Sequence, residues 1–106
     1  MAKYLVTASY TAEGARGLIK DGGSKRLRVV TDMLKAAGVT VDAFYFALGE
    51  HDVFIIIDAP DHAAVSAVAL ATNASGAVRL STTVLLTPAE VDAAARKSIN
   101  YTPPGR

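Results

Sequence analysis

Two neighbouring stretches, residues 40–48 and 52–58, alternate apolar and mixed side chains and are joined through Leu48-Gly49-Glu50-His51. Period-two alternation predicts strands, and so short a connection makes them an antiparallel hairpin. A two-residue turn with Gly49 first predicts type II′ geometry. Facing residues then sum to 99, and Leu48 lies opposite His51. That register puts Phe44, Phe46, Leu48, Val53, Ile55 and Ile57 on one face, an evident core. The other face carries Ala43, Tyr45, Ala47, Asp52, Phe54, Ile56 and Asp58.

The remaining elements fall around this hairpin. Residues 3–10 read as a strand. Thr11 caps a segment that Gly14 and Gly17 reduce to a short, weak helix, with Gly22-Gly23 following. Leu27, Val30, Leu34 and Ala37 form a helical stripe that Gly38 closes. Asp61 opens an Ala-rich helix over 61–73, and Gly76 opens a fourth strand over 77–86, with Val84 and Leu86 on the core side. Thr87-Pro88-Ala89-Glu90 is a capping box with proline at the first helical position. It starts a helix over 88–99 in which Asp92 and Arg96 are spaced to pair. The order predicts an α+β, ferredoxin-like β-α-β-β-α-β fold plus a C-terminal helix. Its antiparallel sheet is expected in the order fourth, first, third, second. One domain is expected over 1–100, followed by an extended, poorly ordered tail over 101–106.

The sheet face away from the helices mixes Leu5, Tyr45, Phe54, Ile56 and Leu85 with Lys3, Thr7, Ser9, Asp52, Asp58, Arg79, Ser81 and Thr83. That is too apolar for a wet surface and too polar for a plain interface. The expectation is a homodimer, or a higher homo-oligomer, with two sheets face to face and a partly polar cavity between them.

Composition narrows the chemistry. Without cysteine, disulfides, iron–sulfur sites and thiol catalysis are excluded, and two histidines show no zinc spacing. No metal and no cofactor are expected. Eleven Lys+Arg balance ten Asp+Glu, which argues against a nucleic-acid or membrane surface. The run Lys25-Arg26-Leu27-Arg28, with Lys20 nearby, reads as a solvated helix face, because Gly22-Gly23 fit no phosphate-binding fingerprint. The N-terminus lacks the form of a signal peptide, and a cytoplasmic protein is expected.

Tyr10-Thr11-Ala12-Glu13-Gly14 resembles a Y-T-x-E-G motif, and Leu48-Gly49-Glu50-His51-Asp52 an L-G-x-Y-D motif. With Ala59-Pro60-Asp61 and Gly76-Ala77-Val78-Arg79, they make residues 3–90 similar to the GYD-domain family. The resemblance implies a dimeric α/β-barrel, and it supplies no reaction. His51 stands where the family motif has Tyr.

Seven residues are candidates for binding a ligand: Arg79, Asp52, Tyr45, Ser9, Tyr10, Glu13 and His51. Asp52 is expected to share one end of the cavity with Lys3 and Thr83, as a base or polar contact, or else to pair with Lys3 or the turn backbone. His51 is a proton carrier or an exposed turn residue. Arg79, with Ser9 and Asp58 at its end of the face, clamps an anion or bridges to Asp58. At the sheet-to-helix corner Tyr10 donates to a ligand and Glu13 acts as an acid or base, or else Tyr10 packs as a lid on the core and Glu13 favours the helix start. Tyr45 and Phe54 are expected to pair across the hairpin. The leading reading is a domain that binds a small anionic or aromatic molecule in the cavity between the sheets, oriented by Arg79, Asp52 and Tyr45. A cofactor-independent isomerase or monooxygenase-like enzyme using the same cavity is the rival, and a purely structural assembly module is the third reading.

Overall fold

A computed structural model describes residues 1–106. Four strands, β1 (Ala2–Tyr10), β2 (Thr40–Phe46), β3 (Val53–Ala59) and β4 (Val78–Leu85), form one antiparallel sheet in the order β2-β3-β1-β4. Between β1 and β2 lie α1 (Ala12–Asp21) and α2 (Gly23–Ala36). Helix α3 (His62–Ala74) joins β3 to β4, and α4 (Pro88–Ala95) follows. The class is α+β.

The core is the alternate row of each strand beneath α2 and α3. Tyr4, Val6 and Ala8 of β1 and Val53, Ile55 and Ile57 of β3 are buried with Val30 and Leu34 of α2, Val65 of α3 and Val78 of β4. The Tyr4 ring lies in this core while its hydroxyl hydrogen-bonds Nδ1 of His62 at 2.7 Å, which ties the start of α3 to β1.

Local chemistry explains most element ends. Thr11 accepts from the Gly14 N–H at the start of α1, and Asp61 from the Ala64 N–H at the start of α3. Gly38, at φ +77°, follows the last turn of α2 in the left-handed region that favours glycine. Thr87 and Glu90 complete the reciprocal capping box of α4.

Several expectations need correction. α1 is a ten-residue helix despite its glycines. Gly14 is there for proximity: a Cβ would stand 1.9 Å from the Ala77 carbonyl oxygen, so the helix start lies directly against the strand that follows α3. The hairpin loop is longer than two residues. The Ala47 N–H donates to the Asp52 carbonyl, and Gly49 lacks the positive φ of a type II′ turn. Leu48 is fully exposed in that loop, and Phe46 is half out of the core. The facing sum of 99 holds from Ala43 to Phe46 and changes at Val41, because Asp42 is inserted as a bulge. That extra residue keeps Val41 opposite Ile57 on the core side. Val84 and Leu86 are exposed, since α2 and α3 leave that end of β4 uncovered. α4 stops at Ala95, short of the expected 99, and no ion pair forms between Asp92 and Arg96.

Candidate functional site

The register decides which polar residues meet. β1 and β3 run antiparallel with Lys3 opposite Asp58 and Ala8 opposite Val53. The hairpin loop therefore lies beside the end of β1, not its beginning. This corrects the expected grouping of Asp52 with Lys3 and Thr83: Asp52 is at one end of the sheet and Lys3 at the other. It also separates Arg79 from Asp58, since Arg79 faces Ser9 on β1. No Arg79–Asp58 bridge can form.

At the Lys3 end, the Nζ donates to Asp58 at 2.7 Å and to Asp42. The bulge turns Asp42 onto this face, where it reaches across β3. These bonds, Asp42 first and Asp58 second, raise the Lys3 pKa above its ordinary 10.5. This ion cluster engages two of the three Lys3 N–H donors and balances its charge with two carboxylates.

At the opposite end, Asp52 accepts the backbone N–H of Tyr10 at 2.8 Å, while its own N–H donates to the Ala8 carbonyl at 2.8 Å. Asp52 thus closes the β1–β3 ladder where regular pairing stops. Ser9 lies next along β1, half-buried, and Arg79 stands exposed opposite it on β4. Tyr45 is 71% exposed on the outer face, opposite Phe54 in register. The ring in edge contact with Phe54 is His51, with centroids 5.8 Å apart, in place of the expected Tyr45 pairing. His51 is accordingly half-buried against Phe54 and does not stand free at the hairpin tip.

Tyr10 and Glu13 belong to a different surface. A groove of about 460 Å³ runs between α1, α2 and α3, with both residues in its lining beside Gly14, Asp21, Arg26 and Thr72. Its floor shares Tyr10, Arg26, Met33, Thr72 and Val78 with a narrow apolar slot of about 50 Å³ that reaches the core beneath α2 and α3. The groove has the capacity of a small-molecule site. The slot as it stands holds no more than a few waters' volume.

Arg26, which the sequence places on a solvated face, is half-buried in this groove. It forms no salt bridge, whereas Asp21, on the same rim, pairs with Lys25 at 3.4 Å. The available signal was the spacing Arg26, Val30, Met33, which places all three on one side of a helix. Burial raises the Tyr10 hydroxyl above its ordinary value of 10.0; Arg26 opposes that rise by charge and hydrogen bonding, and the Asp52 charge adds to it. At neutral pH the phenol is a hydrogen-bond donor and not a base. The groove therefore offers a guanidinium and a neutral hydroxyl above the apolar slot, with the Glu13 and Asp21 carboxylates also on its lining.

The seven expected residues thus divide. Tyr10 and Glu13 line the groove. Asp52 holds the backbone of Tyr10 from the other side of the strand. Ser9, Arg79, Tyr45 and His51 lie on the outer sheet face or its hairpin edge. No group of three His, Cys, Asp or Glu side chains is arranged to hold a metal ion. No helix is long and apolar enough to cross a membrane.

The family model for the GYD domain matches residues 4–95. No curated protein and no solved structure matches the chain. The chain belongs to the GYD-domain family.

Proposed function

We propose that this GYD-domain protein is a homodimeric small-molecule-binding domain. Its ferredoxin-like sheets pair by their outer faces, and each subunit takes an apolar or aromatic molecule bearing an anionic group into its own helix-side groove. The observation that carries the reading is the half-buried Arg26 guanidinium, without a carboxylate partner, beside the protonated Tyr10 hydroxyl. A planar guanidinium suits a carboxylate or sulfonate, and the hydroxyl adds a second donor. On this reading the ligand lies on the opposite side of the sheet from a cavity between two subunits. The outer face supports the pairing, because Leu5 and Ile56 are half-buried while Tyr45 and Phe54 stand exposed among paired charges.

An enzyme that uses Tyr10 as its proton-abstracting base is disfavoured, because the raised hydroxyl stays protonated at neutral pH and keeps its hydrogen to donate. Titration with anilinonaphthalene sulfonate, an aromatic anion, tests the site. One saturable site per subunit is expected, weakened about tenfold or more by Arg26→Gln, the loss typical of a charged hydrogen bond. Equal binding by the variant would contradict the assignment.

A further inference from the structure

We infer that the C-terminal arm, residues 86–106, clasps a second copy of this chain. Every residue from Leu86 to Arg106 is exposed. Among them, Leu86, Val91, Ile99 and Tyr101 are 61%, 51%, 78% and 62% exposed. The radius of gyration is 17.0 Å and the long axis 56 Å, against 32 and 23 Å for the others. A compact chain of this length would have a radius of gyration near ~13 Å. The arm is what projects.

Helix α4 has eight residues, and isolated helices that short are marginal in water. Its capping box fixes where it begins but supplies no packing, so a surface outside its own chain must support it.

The occupant follows from where the arm is rooted. Leu85, the last residue of β4, lies opposite Lys3 on the outer sheet face. An arm leaving the edge of that face lies beside whatever covers it. This inference rests on the homodimer proposed above, in which the cover is an identical subunit. A two-fold pairing then makes the clasp reciprocal, each arm lying on the other subunit. Beyond α4 the charged side chains of the arm are all basic, Arg96, Lys97 and Arg106, none in an ion pair within the chain, while the outer face carries Asp42, Asp52 and Asp58 against Lys3 and Arg79. The arm's Glu90 and Asp92 lie within α4.

The test uses the full chain. Sedimentation equilibrium should show a dimer whose dissociation constant rises about tenfold or more in the double variant Val91→Asp, Ile99→Asp, as expected for loss of apolar anchors. Hydrogen exchange should show α4 amides protected at dimeric concentration and unprotected after dilution. The far-ultraviolet circular dichroism of the variant should keep its strand signal, because these side chains are exposed within their own chain. An unchanged dissociation constant, or α4 amides that exchange freely in the dimer, would overturn the clasp while leaving the dimer standing. A wild-type chain that stays monomeric at about millimolar concentration would overturn both.

Discussion

The Asp52 carboxylate accepts the backbone N–H of Tyr10 at 2.8 Å. This bond joins the hairpin-loop motif to the motif at the end of β1, and it has a simple cause. β1 extends two residues past its last pairing with β3, at Ala8 and Val53. The Tyr10 N–H would otherwise lack an acceptor on the β3 side, and the carboxylate supplies one. Tyr10 is thereby fixed against β3 while its ring packs by Gly14 on the helix side. A backbone bond on one side of the strand sets the position of a groove residue on the other.

Asp52→Ala should therefore cost about 1–3 kcal/mol, the range for leaving a partly buried donor unpaired. Asp52→Asn keeps an oxygen acceptor and should cost less. Urea unfolding of both variants measures the difference. Wild-type stability in Asp52→Ala would show that the bond contributes nothing.

Gly14 and Gly17 should respond oppositely to alanine. Gly14→Ala puts a methyl 1.9 Å from the Ala77 carbonyl oxygen, which forces α1 off β4. Overpacking of this kind costs about 1–3 kcal/mol, and the shift should also disturb the groove. A Cβ at Gly17 meets nothing within 4 Å, and Gly17 has no positive φ. Gly17→Ala should stabilise by about 0.5–1 kcal/mol through helix propensity. Thermal unfolding of the two variants checks both signs.

Alkaline pH should weaken the fold through two groups. Lys3 is raised by its bonds to Asp42 and Asp58, so its stabilising contribution is complete below its unfolded value of 10.5 and is lost as pH rises through the folded one. Tyr10 is raised chiefly by burial, so the unfolded phenol ionises before the folded one and draws the equilibrium toward unfolding above its ordinary 10.0. Urea midpoints should stay level from neutrality to about pH 10 and fall beyond it. Lys3→Met should make that fall shallower. A midpoint unchanged between about pH 9 and pH 11.5 would contradict both assignments.

Particular residues show how much was legible in the sequence. Alternation identified four strands and assigned Phe44, Val53, Ile55 and Ile57 to the core side, because a half-buried strand records its faces at period two. Thr11, Asp61 and Thr87 marked helix starts, because a cap is a local bond between residues two or three apart. Non-local geometry was harder. Asp42 sits in a bulge that no composition signal announces, and the bulge alone brings it to Lys3. The direction of β3 relative to β1 puts Asp52 at Tyr10 and Arg79 far from Asp58, a long-range pairing that local alternation does not encode. Gly14 looked like a helix breaker because its value lies in a contact with Ala77, sixty-odd residues away. Arg26 was hidden within a basic run whose other members, Lys25 and Arg28, are exposed.

Native mass spectrometry of freshly purified protein, with Arg26→Gln alongside, tests the central claim most directly, since it reports subunit number and retained small molecules together. The expected species has twice the 11.0 kDa chain mass. It carries one added mass per subunit, from an anionic compound, that is lost in the variant while the dimer persists. A monomer throughout, or an added mass retained equally by Arg26→Gln, would contradict the claim.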